Sequence, residues 1–183
     1  PTEELFCAKT HLELKKTFKN FFTIIIPRHI DRANKILNDL SRLKINTILY
    51  SNLNKMDNST DILLVNTYGE AKKLYNVSKC VFLGKSLIRS IKDNSGQNPI
   101  EPARLGCKIF HGPFVSNFLD VYEYLNSLKV TKEVISPEIL SQSLVEELRE
   151  GKVNNKQIVE KIENYGQNTF NNVLNEIKIY INT

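Results

Sequence analysis

The sequence has no tryptophan, a single methionine and only three cysteines among its 183 residues. None of its apolar runs approaches the roughly 20 residues that a membrane-spanning helix needs. With seven glycines and six prolines, the composition does not fit a fibrous or low-complexity chain. Cys7, Cys80 and Cys107 are odd in number and widely spaced, so they predict free thiols in a reducing compartment rather than disulfides or a zinc site. These absences leave one soluble globular domain as the expectation.

Positive charge is concentrated in the first two thirds of the chain. Residues 1–112 carry 18 basic and 10 acidic side chains, a net charge of +8, whereas residues 113–183 carry 7 and 10, a net charge of −3. This asymmetry favours an anionic ligand near the first part of the chain. Adjacent lysines and arginines never exceed a pair and no RNA-binding aromatic motif occurs, so we do not expect a nucleic-acid partner.

Short apolar runs alternate with segments of helical periodicity. The runs predict strands at 21–26, 45–50, 61–66, 80–84, 108–110 and 130–135. The segments with apolar residues at helical spacing predict helices at 3–18, 31–43, 68–77 and 99–105. Further helices are predicted after Ser116, from Ser136, and from about 155 to the end at 183. This alternation is typical of βαβ units and predicts a single α/β domain over residues 1–183. We expect a Rossmann-like parallel sheet with helices on both faces and a helical tail.

The junctions that follow strands carry the candidate site residues, because ligands of parallel sheets bind beyond the carboxyl ends of the strands. Pro27 and Arg28 follow the first strand, and an arginine there suits a phosphate or carboxylate. An ion pair with Asp31 or a helix end is the structural alternative. His29 is interpreted as a solvated residue at a helix start.

The second junction is Thr67-Tyr68-Gly69-Glu70. Its glycine lets a ligand approach the backbone, while Thr67 and Glu70 have the spacing of a helix capping box that needs no ligand. The residues alone favour the cap.

The third and fourth junctions also combine helix starts with polar side chains. Asn98-Pro99-Ile100-Glu101 has the residues of a helix start. Glu101 is interpreted either as a reciprocal cap or as a carboxylate that binds ribose hydroxyls. The fourth junction runs from His111-Gly112-Pro113 to Ser116-Asn117-Phe118, and His111 is interpreted as structural or adjacent to a ligand. The motifs of P-loop NTPases, dinucleotide enzymes and zinc hydrolases are missing from the sequence.

Taken in order, these four junctions resemble the C-terminal half of 3-deoxy-D-manno-octulosonic acid (Kdo) transferases. The resemblance is carried by Ile26-Pro27-Arg28-His29, Asn66-Thr67-Tyr68-Gly69-Glu70, Asn98-Pro99-Ile100-Glu101-Pro102-Ala103, and His111-Gly112-Pro113 with Ser116-Asn117-Phe118. It implies the C-terminal domain of a GT-B glycosyltransferase, which binds the donor CMP-Kdo. It also implies a CMP site formed by Pro27, Arg28, Tyr68, Gly69, Glu70, Asn98, Pro99, Ile100 and Glu101.

The same resemblance implies an inverting transfer of Kdo to the lipid A precursor in lipopolysaccharide biosynthesis, at the cytoplasmic face of the bacterial inner membrane. The acceptor-binding N-terminal domain, its membrane anchor and its glutamate general base would precede Pro1, so we expect no catalytic residue within this chain. We expect no metal and no cofactor besides the donor substrate. The sequence departs from the family at residues 88–97, where a longer charged loop replaces a short Gly-Gly-His turn.

Two alternatives remain open from the sequence. One is half of another GT-B glycosyltransferase or of a sugar-nucleotide epimerase that uses a UDP-sugar. The other is a non-catalytic basic module that binds RNA or acidic phospholipid.

Overall fold

The computed structural model describes residues 2–89, 94–150 and 156–181, and strands and helices alternate through these ranges. The strands are β1 (Thr23–Ile25), β2 (Thr47–Leu49), β3 (Ile62–Leu64), β4 (Cys80–Leu83), β5 (Lys108–His111) and β6 (Thr131–Glu133). The α-helices are α1 (Thr2–Thr17), α2 (Ala33–Arg42), α3 (Ala71–Val77), α4 (Ile100–Arg104), α5 (Leu119–Ser127), α6 (Pro137–Arg149) and α7 (Lys156–Ile181). Short 3₁₀ helices cover Ile30–Arg32, Tyr50–Lys55 and Ser116–Phe118. The predicted order of elements is confirmed, although most strands are shorter than the apolar runs.

Every strand pair in the described residues is parallel, as predicted. The strands form two three-stranded sheets, in the orders β1-β3-β2 and β4-β5-β6. No backbone pairing joins β1 to β4 in the described parts of the chain, and a cleft of about 610 Å³ is lined by residues of both strands. The sheet therefore has a gap between its two halves.

The local sequence explains the elements that surround the first sheet. All three residues of β3 are buried, which is expected of a central parallel strand covered on both faces. In α2 the buried residues are Ala33, Ile36 and Leu40, at the spacing that places side chains on one helical face. This face packs with Ile25 and Ile62 in one hydrophobic core.

The second sheet has its own core, to which the helical tail contributes. Ile109 and Leu125 are fully buried in this core together with Ile162 of α7. The predicted start of α6 is confirmed, because Ser136 Oγ accepts a hydrogen bond from the backbone N–H of Ile139 at 3.3 Å. Pro137 occupies the first turn of that helix, where the missing N–H costs nothing.

Candidate functional site

A cavity of about 300 Å³ lies beyond the carboxyl ends of the strands. Two of the residues predicted for the CMP site, Arg28 and Asn98, lie together in its wall. The lining residues come from the loops after β1, β4 and β5 and are Arg28, Lys85, Gly96, Gln97, Asn98, Asn117 and Phe118. The two cationic side chains suit an anion, the amides suit hydrogen bonding to a polar ring or sugar, and Phe118 offers an apolar surface.

Arg28 is the residue of this cavity with the most specific anion chemistry. It follows buried Pro27 and is itself exposed. The alternative interpretation, an ion pair with Asp31, is not formed, and no salt bridge joins Arg28 to any residue within the described ranges. Its neighbour Arg32 is different, since it pairs with Glu4 at 3.0 Å. The Arg28 guanidinium is therefore available to a ligand.

Lys85 enters the cavity through a loop that the carboxylate of Glu3 holds in place. The backbone N–H groups of Lys85, Ser86 and Leu87 all donate to the two Glu3 oxygens, the last two at 2.9 and 3.0 Å. Lys85 has a φ of 60°, in the left-handed region that turns successive N–H groups toward one anion. Sequence reasoning missed both Glu3 and Lys85. The only local signal was Gly84 directly after a strand.

Two glycines bring the loops after β4 and β5 into contact. A side chain at Gly112 would lie 2.2 Å from the backbone oxygen of Ser86, and Gly112 N–H donates to Ser86 Oγ at 2.8 Å. Gly96 has a φ of +89°, and an added Cβ would lie 2.9 Å from the backbone of Val115. Only glycine fits at either position. The predicted charged loop at 88–97 is described in part, because residues 90–93 lie outside the described ranges.

Tyr68, Gly69 and Glu70 do not line this cavity. Tyr68 is 71% exposed and Gly69 has a φ of +87° with open space around it. The capping-box interpretation of this junction is wrong, because α3 starts at Ala71 without a side-chain cap. Glu70 instead accepts from Tyr50 Oη at 3.1 Å and pairs with Lys73 at 3.2 Å, and the Lys73 and Tyr50 contacts lower the pKa of the Glu70 carboxyl.

Asn98 marks a helix start, as predicted, but one residue earlier than a conventional cap. Its Oδ1 accepts from the backbone N–H of Ile100 at 3.0 Å, while Pro99 occupies the N-cap position of α4 and is buried. Glu101 is exposed and forms no ion pair or side-chain hydrogen bond with the described residues, so the reciprocal cap is not observed. Ile100, which is half-buried, packs against the second core. The Glu101 carboxylate is thus uncommitted, although it does not line the cavity.

His111 is a structural residue in this arrangement. It is 8% exposed, its Nδ1 lies 2.7 Å from the Gly112 carbonyl oxygen, and its ring packs against Tyr122 with centroids 4.5 Å apart. Burial lowers the pKa of His111 and keeps the ring neutral near pH 7. Burial likewise raises the pKa of the Cys7 and Cys80 thiols to about 12, so both are protonated.

The described residues offer neither a metal site nor a membrane-spanning helix. Within them, no group of three or more His, Cys, Asp and Glu side chains is placed to hold a metal ion. Among the described helices, none combines the length and apolar character needed to cross a membrane.

Comparison with known proteins supports the resemblance that the junctions suggested. The chain is 27% identical over 164 residues to the 3-deoxy-D-manno-octulosonic acid transferase of Haemophilus influenzae, covering 90% of this chain and 36% of that protein. It is 29% identical over 117 residues to the transferase of the same name from Aquifex aeolicus, covering 64% of this chain and 31% of that protein. A bifunctional glycosyltransferase/methyltransferase of Fusobacterium nucleatum is 30% identical over 125 residues, 67% of this chain and 19% of that protein. No protein-family model matches the chain.

The fold is also found in a solved structure. It is the C-terminal CMP-Kdo binding domain of WaaA from Acinetobacter baumannii, with a TM-score of 0.66 at 18% identity over 86% of this chain and 96% of that one. The Rossmann-like fold of a GT-B C-terminal domain is thereby confirmed. The predicted resemblance to the Kdo transferases is also confirmed. The chain spans about a third of the length of the Kdo transferases it matches.

Proposed function

We propose that this chain is the donor-binding half of a Kdo transferase and that CMP-Kdo binds at the cavity beyond the strand ends. The observation that carries the proposal is the meeting of Arg28, Lys85 and Asn98 in one cavity, at the edge where parallel sheets bind nucleotides. Similarity to Kdo transferases over 90% of the chain supports CMP-Kdo as the donor. Pro27, Tyr68, Gly69, Glu70, Pro99, Ile100 and Glu101 do not line this cavity and stay predicted CMP contacts.

In the proposed reaction, an acceptor hydroxyl attacks the anomeric carbon of Kdo with inversion while the bond to the CMP phosphate breaks. Charge develops on the departing phosphate, and donors fixed in advance stabilise it more in the transition state than in the ground state. Arg28 and Lys85 are the cations of the cavity, and we assign this role to them, without a metal or further cofactor. The base that removes the acceptor proton is assigned to a separate acceptor-binding domain.

The acceptor and the location follow from the same proposal. The acceptor is the lipid A precursor, and the whole enzyme works at the cytoplasmic face of the bacterial inner membrane. Since the general base is assigned to the other domain, the chain by itself binds the donor but transfers no sugar. An assay with CMP-Kdo and lipid A precursor tests this division: turnover by the chain alone at the rate of the whole enzyme would contradict it.

Calorimetric titration with CMP, UMP and a short RNA, each at low and high salt, tests the donor assignment. We expect saturable one-to-one binding of CMP, weaker binding of UMP, and no binding of RNA. Tighter UMP binding would favour a UDP-sugar enzyme. RNA binding that falls steeply with salt, without a nucleotide effect, would favour a basic binding module.

A further inference from the structure

Lys85 lies in the wall of the donor cavity with a side chain that no described residue engages. It is half-buried and lines the cavity together with Arg28. Within the described ranges, no salt bridge or side-chain hydrogen bond involves its ammonium group. We propose that Lys85 binds the C1 carboxylate of Kdo as well as the phosphate and thereby selects a donor whose sugar is an acid. This assignment rests on the proposed function and adds the residue that recognises the sugar.

The backbone conformation of Lys85 is unusual for a lysine away from a helix end. Its φ of 60° lies in the left-handed region that glycine adopts without strain and that costs free energy for a residue with a Cβ. Lys44 and Lys129 also have a positive φ, but each directly follows the C-cap residue of α2 or α5, where this conformation is common. Lys85 instead lies two positions after the end of β4. Strain of this kind is concentrated at ligand sites.

Both backbone groups of Lys85 are held by other parts of the chain. Its N–H donates to the carboxylate of Glu3, and its carbonyl oxygen accepts from the N–H of Gly96 at 2.6 Å. The next residue, Ser86, is fully buried, and its Oγ accepts from the N–H of Gly112 at 2.8 Å. The side chain of Lys85 is therefore the part left to move, and its ammonium is placed at the cavity before a ligand arrives. Such preorganisation lowers the cost of binding.

The charges of the cavity match those of the proposed donor. Kdo is a 2-ulosonic acid, so the carboxylate and the phosphate of CMP-Kdo are both attached to C2, and each carries one negative charge near neutral pH. Among the described residues that line the cavity, Arg28 and Lys85 are cationic and none is acidic. The planar guanidinium of Arg28 fits two phosphate oxygens, whereas the ammonium of Lys85 has three N–H donors and can bridge the phosphate and the carboxylate. A donor with an uncharged sugar would leave the second of these contacts unmade.

Calorimetry with two stable donor analogues that differ in one charge tests the assignment. Both are phosphonate analogues of CMP-Kdo, in which a methylene group replaces the oxygen between C2 and phosphorus. One has the free C1 carboxylate, and the other has a C1 carboxamide. The parent chain should bind the acid at least about 10-fold more tightly than the amide, as expected for a hydrogen bond between charged groups. In Lys85→Gln, which lacks the charge, the two Kd values should agree within about 2-fold.

Lys35→Gln is the matched control, because Lys35 is exposed on α2 and does not line the cavity. It loses the same charge and should keep the preference for the acid. Lys85→Gly should lose the preference while its melting temperature stays at or above that of the parent, since a φ of 60° suits glycine. Equal preference for the acid in the parent and in Lys85→Gln would overturn the assignment and leave the proposed function standing. Absence of binding of CMP and of both analogues by the parent would overturn the two together.

Discussion

Replacing Arg28 with alanine should weaken CMP binding and leave the fold intact. Arg28 is exposed and has no ion-pair partner among the described residues, so its removal leaves no buried group unsatisfied. Exposed substitutions of this kind usually change the free energy of unfolding by no more than about 0.5 kcal/mol. The melting temperature of the Arg28→Ala chain should therefore match that of the parent.

The expected loss in affinity follows from the chemistry of the contact. A hydrogen bond to a charged group contributes about 1.5–3 kcal/mol, which corresponds to a rise in the Kd for CMP of about 10- to 150-fold. Arg28→Lys should show a smaller loss, because lysine keeps the charge but lacks the planar fork that binds two phosphate oxygens. Calorimetry of the three proteins measures the series.

Arg42→Ala is the matched control. Arg42 is 80% exposed at the end of α2, where it lies 3.5 Å from Asp39, and it does not line the cavity. Its removal changes net charge by the same amount as Arg28→Ala. If CMP affinity is unchanged in a folded Arg28→Ala chain, or falls equally in both variants, the assignment of Arg28 to the phosphate is wrong.

Three further changes test other parts of the account. Glu101→Gln should weaken CMP binding far more than it lowers the melting temperature, since the described residues give the Glu101 carboxylate no structural partner. Calorimetry and a thermal melt measure the two effects. A lower melting temperature with unchanged CMP affinity would refute ribose binding by Glu101. Burial lowers the pKa of His11 despite the nearby Asp61 carboxylate, so the folded state favours the neutral ring. The free energy of unfolding in urea should therefore be highest above about pH 6.5 and decrease as the pH drops below it. The decrease should be less steep in a His11→Gln variant. Gly112→Ala should lower the urea midpoint, because its Cβ would lie 2.2 Å from Ser86 O, and a midpoint equal to the parent's would show that the two loops separate easily.

Local patterns predicted the elements, and tertiary contacts decided what the patterns left open. The apolar residues within 61–66 are consecutive, as in a buried strand, so β3 was predictable. Ala33, Ile36 and Leu40 have the spacing of one helical face, so α2 was predictable as well. Glu70 has the spacing of a cap, yet Tyr50, twenty positions earlier, takes its carboxylate. A contact of that kind leaves no local trace in the sequence.

The candidate site was predicted in the same partial way. Arg28 closely follows β1, and Asn98 lies in the loop between β4 and α4, just before that helix begins, so the rule that ligands bind in such loops was sufficient to find them. Lys85 lies in a loop whose shape depends on Glu3, 82 positions away, and the gap between β1 and β4 depends on pairing between distant segments. Neither could be read from spacing alone.

The most direct test of the central claim is an amide NMR titration of the isotope-labelled chain with CMP. The account predicts saturable shifts concentrated at Arg28, Lys85, Gln97 and Asn98, with weaker effects from UMP at equal concentration. The amides around His11, at the opposite end of the strands, should not move. Shifts centred on His11, or none at millimolar CMP, would contradict the proposal that this chain binds the donor nucleotide beyond the carboxyl ends of its strands.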